Sequence, residues 1–129
     1  YTYSGHPVGA AAALACLPEI ERLNVAANAA ARGEELLAGG KALAEKYELV
    51  GDVRGKGLMF CLELVSDRAS KTPADKATMQ AVFDGAYEAG VMVRVSGPNV
   101  ILSPSLVITA EDVRKILDGV EAGLKAASE

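Results

Sequence analysis

With 129 residues, half of them apolar, 23% charged and a net charge of −4, the chain has the length of one domain and apolar content enough for a core. The acidic balance, with no basic patch interleaved with aromatic residues, argues against nucleic-acid binding. One histidine rules out a His-based metal cluster.

The chain opens on Tyr1 rather than methionine, which predicts a piece of a longer polypeptide. Tyr1-Thr2-Tyr3-Ser4-Gly5-His6-Pro7 then runs directly into the small-residue stretch Val8 to Ala15. Hydroxyls, a glycine and a proline ahead of a helix support two readings. One is a helix capped by Ser4 or His6 with proline in its first turn. The other is an anion site, in which free N–H groups, nearby hydroxyls and the helix dipole hold a phosphate. The first helix is predicted over Pro7 to about Leu17, with Pro18 starting a new turn. Its alanines and Gly9 suit close approach of another backbone. This apolar run is too short to span a bilayer, and no signal peptide precedes it. Cys16 and Cys61 lie far apart in apolar runs, predicting reduced core thiols of a cytosolic protein.

A second long helix is predicted from about Asn24 to Tyr47, with Ala29, Leu36, Leu43 and Tyr47 on one stripe. Gly39-Gly40 interrupts it at a cost of roughly 1 kcal/mol per glycine, predicting a kink or fraying there. Leu49–Val53 and Leu58–Val65 read as strands around the glycine-containing turn Arg54-Gly55-Lys56-Gly57. The second, apolar on both faces except for Glu63, reads as a central strand covered by helices. Thr72-Pro73, with Asp75 three residues after the threonine, predicts a capped helix striped with Met79, Val82, Phe83 and Ala86 and ended by Gly90. Val91–Val95 alternates as a strand and pairs with Val100–Ser103 across the Ser96-Gly97-Pro98-Asn99 turn. Thr109, with Asp112 three residues on, caps a last helix whose buried stripe is Val113, Ile116, Leu117, Val120 and Leu124. The final residues should fray. This order gives an α+β fold, a small and largely antiparallel sheet with helices packed on it.

No self-contained active site stands out. Such a site needs a nucleophile beside a base, a paired carboxylate in an apolar setting, or clustered ligands. His6, beside a proline at a helix start, reads as structural or capping. Glu63 reads as a solvent-facing charge or an arginine's partner. The lysines fall on polar faces or in loops, unlike a Schiff-base lysine, which needs apolar surroundings. Arg94, before a glycine-containing turn, is either a surface arginine or a two-pronged carboxylate clamp. Arg54 poses the same choice, and its glycine neighbours favour a structural role.

Taken together, Thr2-Tyr3-Ser4-Gly5-His6-Pro7-Val8, Gly51-Asp52-Val53-Arg54-Gly55-Lys56-Gly57-Leu58-Met59, Gly90-Val91 to Arg94, and Asn99-Val100-Ile101-Leu102-Ser103-Pro104 resemble the C-terminal part of class III aminotransferases. These are pyridoxal-phosphate enzymes of the omega-amino-acid and amine:pyruvate type. Four motifs stand in the family's order across essentially the whole chain. The resemblance implies that residues 1–24 form an interdomain helix with the end of a cofactor-binding segment, and that residues 25–129 form the C-terminal small domain of a fold-type-I enzyme. It implies that Thr2 hydrogen-bonds the phosphate of pyridoxal 5'-phosphate held by the neighbouring subunit. Tyr1 would line the substrate pocket, and Arg94 would bind the substrate carboxylate and swing aside for an apolar group. The implied partners are an amino donor, a keto acid such as pyruvate, the large domain of the same enzyme and a second subunit in a cytoplasmic homodimer or larger homo-oligomer. The Schiff-base lysine would belong to the large domain, ahead of Tyr1, so the chain alone is predicted inactive. Two rivals stand beside this reading. One is the small domain of a glutamate-semialdehyde-type aminomutase, against which Arg94 ahead of Ser96-Gly97 favours the transaminase. The other is a free-standing small-molecule-binding or regulatory module.

Overall fold

A computed structural model of the chain describes residues 1–128. Helix α1 spans Pro7–Arg22 and continues through Pro18, where a new turn was expected. Proline has no N–H to give the carbonyl one turn earlier, but that carbonyl belongs to exposed Leu14, where water replaces the bond. No residue of α1 is buried. Cys16 is therefore exposed rather than a core thiol. The N-cap residue is His6, with proline in the first turn, but its side chain makes no capping bond, and Ser4 lies outside the cap position, so the capping expected of either is not made among the described residues.

Helix α2, Val25–Lys46, runs without interruption through Gly39-Gly40. A Cβ at Gly39 would overlap Leu117, and one at Gly40 would meet the Phe60 ring. The pair thus marks close packing rather than a break. The Arg68 guanidinium donates to the carbonyls of Ala44 and Tyr47, and of Glu48 and Val50 beyond them, closing the C-terminal end of α2.

Strands β1 (Val50–Lys56) and β2 (Met59–Asp67) form an antiparallel hairpin. Arg54, Gly55 and Lys56 belong to β1 rather than to the turn, pairing with Cys61, Phe60 and Met59. The reversal is made by Gly57, at φ 55°, and Leu58. An irregularity at Gly51 keeps Val50 on the core face opposite Leu64 while Asp52 faces Glu63. Thr72–Pro73 forms the short strand β3 on β2, so the cap of helix α3 (Lys76–Glu88) is not Thr72. It is Asp75, which accepts from the Thr78 N–H at 2.8 Å. Gly90, at φ 85°, lies just past the helix end, as expected of a C-terminal glycine.

Strand β4 is only Arg94–Ser96, shorter than the predicted Val91–Val95. Val91 leaves strand geometry to pack over Gly119 of the last helix, and Val93 is buried. Strand β5, Asn99–Leu102, returns antiparallel to β4. Helix α4, Ala110–Ala126, starts in the predicted capping box of Thr109 and Asp112. The fraying expected of the last residues falls partly on Glu129, outside the described residues.

The main sheet runs β1-β2-β5-β4, every neighbouring pair antiparallel, so the α+β class holds and β2 is interior. Its Phe60, Leu62 and Leu64 face the helices and join Leu36, Val82, Val120 and Leu124 in one core. Each such leucine, fully removed from water, contributes on the order of 2 kcal/mol. The alternate residues Cys61 and Glu63 are only half-buried and Met59 is exposed. Helices thus cover one face of β2, not both, and leave a second sheet face open.

Candidate functional site

The residues singled out in the sequence fall in two places. Tyr1 and Thr2 are exposed in a turn ahead of α1, where the Ser4 N–H donates to the Tyr1 carbonyl at 3.1 Å and the His6 N–H to the Tyr3 carbonyl at 3.2 Å. Among the described residues neither side chain has a hydrogen-bond partner. The Thr2 hydroxyl therefore remains free to donate, beside a helix start that no side chain caps. That arrangement fits one contact to a phosphate oxygen.

Arg94 stands elsewhere, at the start of β4 on the edge of the sheet. A cleft of about 620 Å³ opens beside it, with Met92, Ile101, Ser103 and Pro104 in its wall and neither Tyr1 nor Thr2. Within this chain the three candidates therefore do not converge.

The strand register places Arg94 opposite Ile101, Ile101 opposite Cys61, and Cys61 opposite Arg54. Directly paired residues point to one side of a sheet, so Arg54 and Arg94 share the open face. The neighbouring row on that face is Asp52, Glu63, Asn99 and Ser96. The two arginines differ in what surrounds them. Arg54 donates to Asp52 at 2.8 Å, Glu63 at 2.7 Å and the Asn99 side-chain oxygen at 2.8 Å. The bonds to Asp52 and then Glu63 hold its guanidinium further into its charged range. Arg94 is exposed and forms no ion pair among the described residues. A guanidinium without a carboxylate partner is the one of the two able to accept a carboxylate in two parallel hydrogen bonds.

Sequence reasoning anticipated an arginine for Glu63 but missed Asp52 and Asn99, which only cross-strand register brings together. It also missed Asn28, whose side-chain amide donates to the carbonyls of Leu106 at 2.9 Å and Ile108 at 3.0 Å, fixing the segment after β5 to α2. Cys61 lies between Arg54 and Ile101 in the row beside the polar one, 3.4 Å from the Asn99 oxygen. Burial pushes its thiol pKa up, against the opposing pull of Arg54. Two of the lysines are paired, Lys46 with Glu121 and Lys115 with Glu111 at 2.8 Å, and all seven are exposed.

The family described as "Aminotransferase class-III" matches residues 1–124. The taurine–pyruvate aminotransferase of Bilophila wadsworthia is 39% identical over 127 residues, covering 93% of this chain and 28% of that protein. The leucine/methionine racemase of Thermococcus litoralis is 37% identical over 130 residues, covering all of this chain and 29% of its own length. Among solved structures, a PLP-bound amine transaminase from an uncultivated Pseudomonas species superposes with a TM-score of 0.92 at 44% identity, over 97% of this chain and 29% of that one. The chain thus spans less than a third of the length of these relatives.

Proposed function

The chain belongs to the class-III aminotransferase family, and from that premise we propose that it is the C-terminal small-domain part of a pyridoxal-phosphate-dependent transaminase that moves an amino group from an amine or omega-amino acid to a keto acid such as pyruvate. The observation that carries this reading is the agreement of nearly the whole chain with one family, supported by a TM-score of 0.92 to an amine transaminase. Residues 1–24 then form the interdomain helix and the end of the cofactor-binding segment, and 25–129 the small domain. The intact enzyme works as a homodimer or larger homo-oligomer in the cytoplasm.

Bound pyridoxal phosphate supplies an electron sink for the carbanion left when the donor loses its alpha proton. In this reading Thr2 donates its hydroxyl to the cofactor phosphate held by the neighbouring subunit, and Tyr1 walls the substrate pocket. Arg94 clamps the acceptor's carboxylate, which orients the keto group for reaction. The exposed setting of every lysine supports placing the Schiff-base lysine outside this chain, since such a lysine needs an apolar pocket. The chain alone is then inactive.

Full-length protein supplied with pyridoxal phosphate, an amine donor and pyruvate should form alanine. Replacing Arg94 by alanine in the full-length enzyme should weaken keto-acid acceptors by roughly 2–5 kcal/mol, the cost when a substrate carboxylate that binding buries against the guanidinium loses that partner. Failure of the wild-type protein to transfer the amino group would overturn the reading, and unchanged acceptor kinetics in Arg94→Ala would remove the clamp. Racemisation is the second reading, favoured by the leucine/methionine racemase relative. Loss of optical activity in a single amino acid, without a keto acid present, distinguishes it.

A further inference from the structure

Two acidic side chains share the open sheet face with Arg94, and both are occupied by Arg54. Glu63 lies one row along and two strands across from Arg94, through Asn99 and Ser96. With strands about 4.8 Å apart and about 3.4 Å per residue, their Cα atoms are about 12 Å apart, within the combined reach of the two side chains. Arg54 also donates to Asn99, and the Asn99 amide donates to the Ser96 carbonyl at 3.2 Å. One polar chain therefore runs from the β1 edge to the strand that carries Arg94.

We propose that Arg54 is a positioning residue for substrate-carboxylate binding: by occupying Asp52 and Glu63 it stops them from competing with the substrate for Arg94. This rests on the assignment of Arg94 as the clamp. The competition is one of like charges for one guanidinium. A freed Glu63 would draw Arg94 across the face and would repel an incoming carboxylate. Only an arginine bonded to both acids and to Asn99 at once, as Arg54 is, removes that competitor while staying tied to its own strand.

The test uses the full-length enzyme at low ionic strength, where exposed charges are least screened. It compares kcat/KM for pyruvate with kcat/KM for an amine donor that has no carboxylate. Arg54→Gln should lower the pyruvate value about fivefold and leave the amine value within twofold, the loss shrinking in 0.5 M salt. Adding Asp52→Asn and Glu63→Gln to that variant should restore the pyruvate value, which a lost structural contact would not allow. The proposal is overturned if Arg54→Gln leaves pyruvate kinetics unchanged, lowers both values alike, or is not rescued by neutralising the acids. Wild-type enzyme that transfers no amino group fails the functional reading itself, an outcome separate from each of these.

Discussion

The Thr109–Asp112 box at the start of α4 is closed by three hydrogen bonds between two side chains and two backbone N–H groups. The Thr109 backbone N–H, then its hydroxyl, hold the Asp112 carboxyl below the ordinary carboxylate range. A carboxyl whose folded pKa lies below its unfolded value adds stability that is complete above the unfolded value and is lost as pH falls through the folded one. Asp112→Asn should therefore lower the urea midpoint at pH 7, and the gap to wild type should close as pH drops below the ordinary aspartate value of 3.8. A gap that persists unchanged at low pH would show that the charge contributes nothing. This box was legible in the sequence because its members are three residues apart and one helical turn forces them together. The Arg54 network was only half legible: Glu63 stood out as a charge in an apolar strand, but Asp52 and Asn99 became its neighbours through a register no local rule supplies. Arg94 draws notice in the sequence by its place before a turn, whereas its lack of a carboxylate partner among the described residues is a fact of the folded sheet.

Apart from strand β3 at Thr72–Pro73, which reads in sequence as a helix cap, periodicity predicts the helix-and-strand order, and the errors gather at glycines and prolines. Single-residue propensity treats Gly39-Gly40 as a weak point, yet the folded chain uses the pair to admit Leu117 and Phe60. Pro18 was read as a boundary, yet an exposed helix tolerates one missing bond there. The same logic fixes how α3 meets α4. A Cβ on Gly123 would run into the Val82 carbonyl, and one on Gly85 would come within 3.0 Å of the Gly123 Cα. The obstructing atoms are backbone, so the two helices cannot give way without moving apart. Gly123→Ala should cost about 1–3 kcal/mol, as overpacking in a close contact does. Gly9→Ala serves as the control, since nothing lies within 4 Å of the Cβ it would add. Thermal unfolding followed by circular dichroism should show a lowered midpoint for the first and no loss for the second. Equal midpoints would mean that the α3–α4 contact is not set by this glycine.

At the scale of the whole molecule, the described chain has one well-covered core and two surfaces that nothing in it covers. Those surfaces are the open sheet face bearing Arg94 and the length of α1, where Val8, Leu14, Leu17 and Ile20 are all exposed. Apolar exposure repeated along a helix is expected where another surface packs against it, which supports the proposed role of α1 as a link to a large domain. It also has a consequence for stability. Because no α1 residue is buried, α1 contributes little to holding the core together, even though it accounts for 16 of the 129 residues. Removing residues 1–22 should leave the free energy of unfolding of the remainder within about 0.5 kcal/mol of that of the whole chain, as for changes at exposed sites. The denaturant slope should hardly change, since little surface is newly exposed by unfolding α1. The far-UV helical signal should fall by about the share that α1 represents. A drop in midpoint well beyond that margin would show that α1 packs on the core in solution, and would place the domain boundary elsewhere than after residue 24.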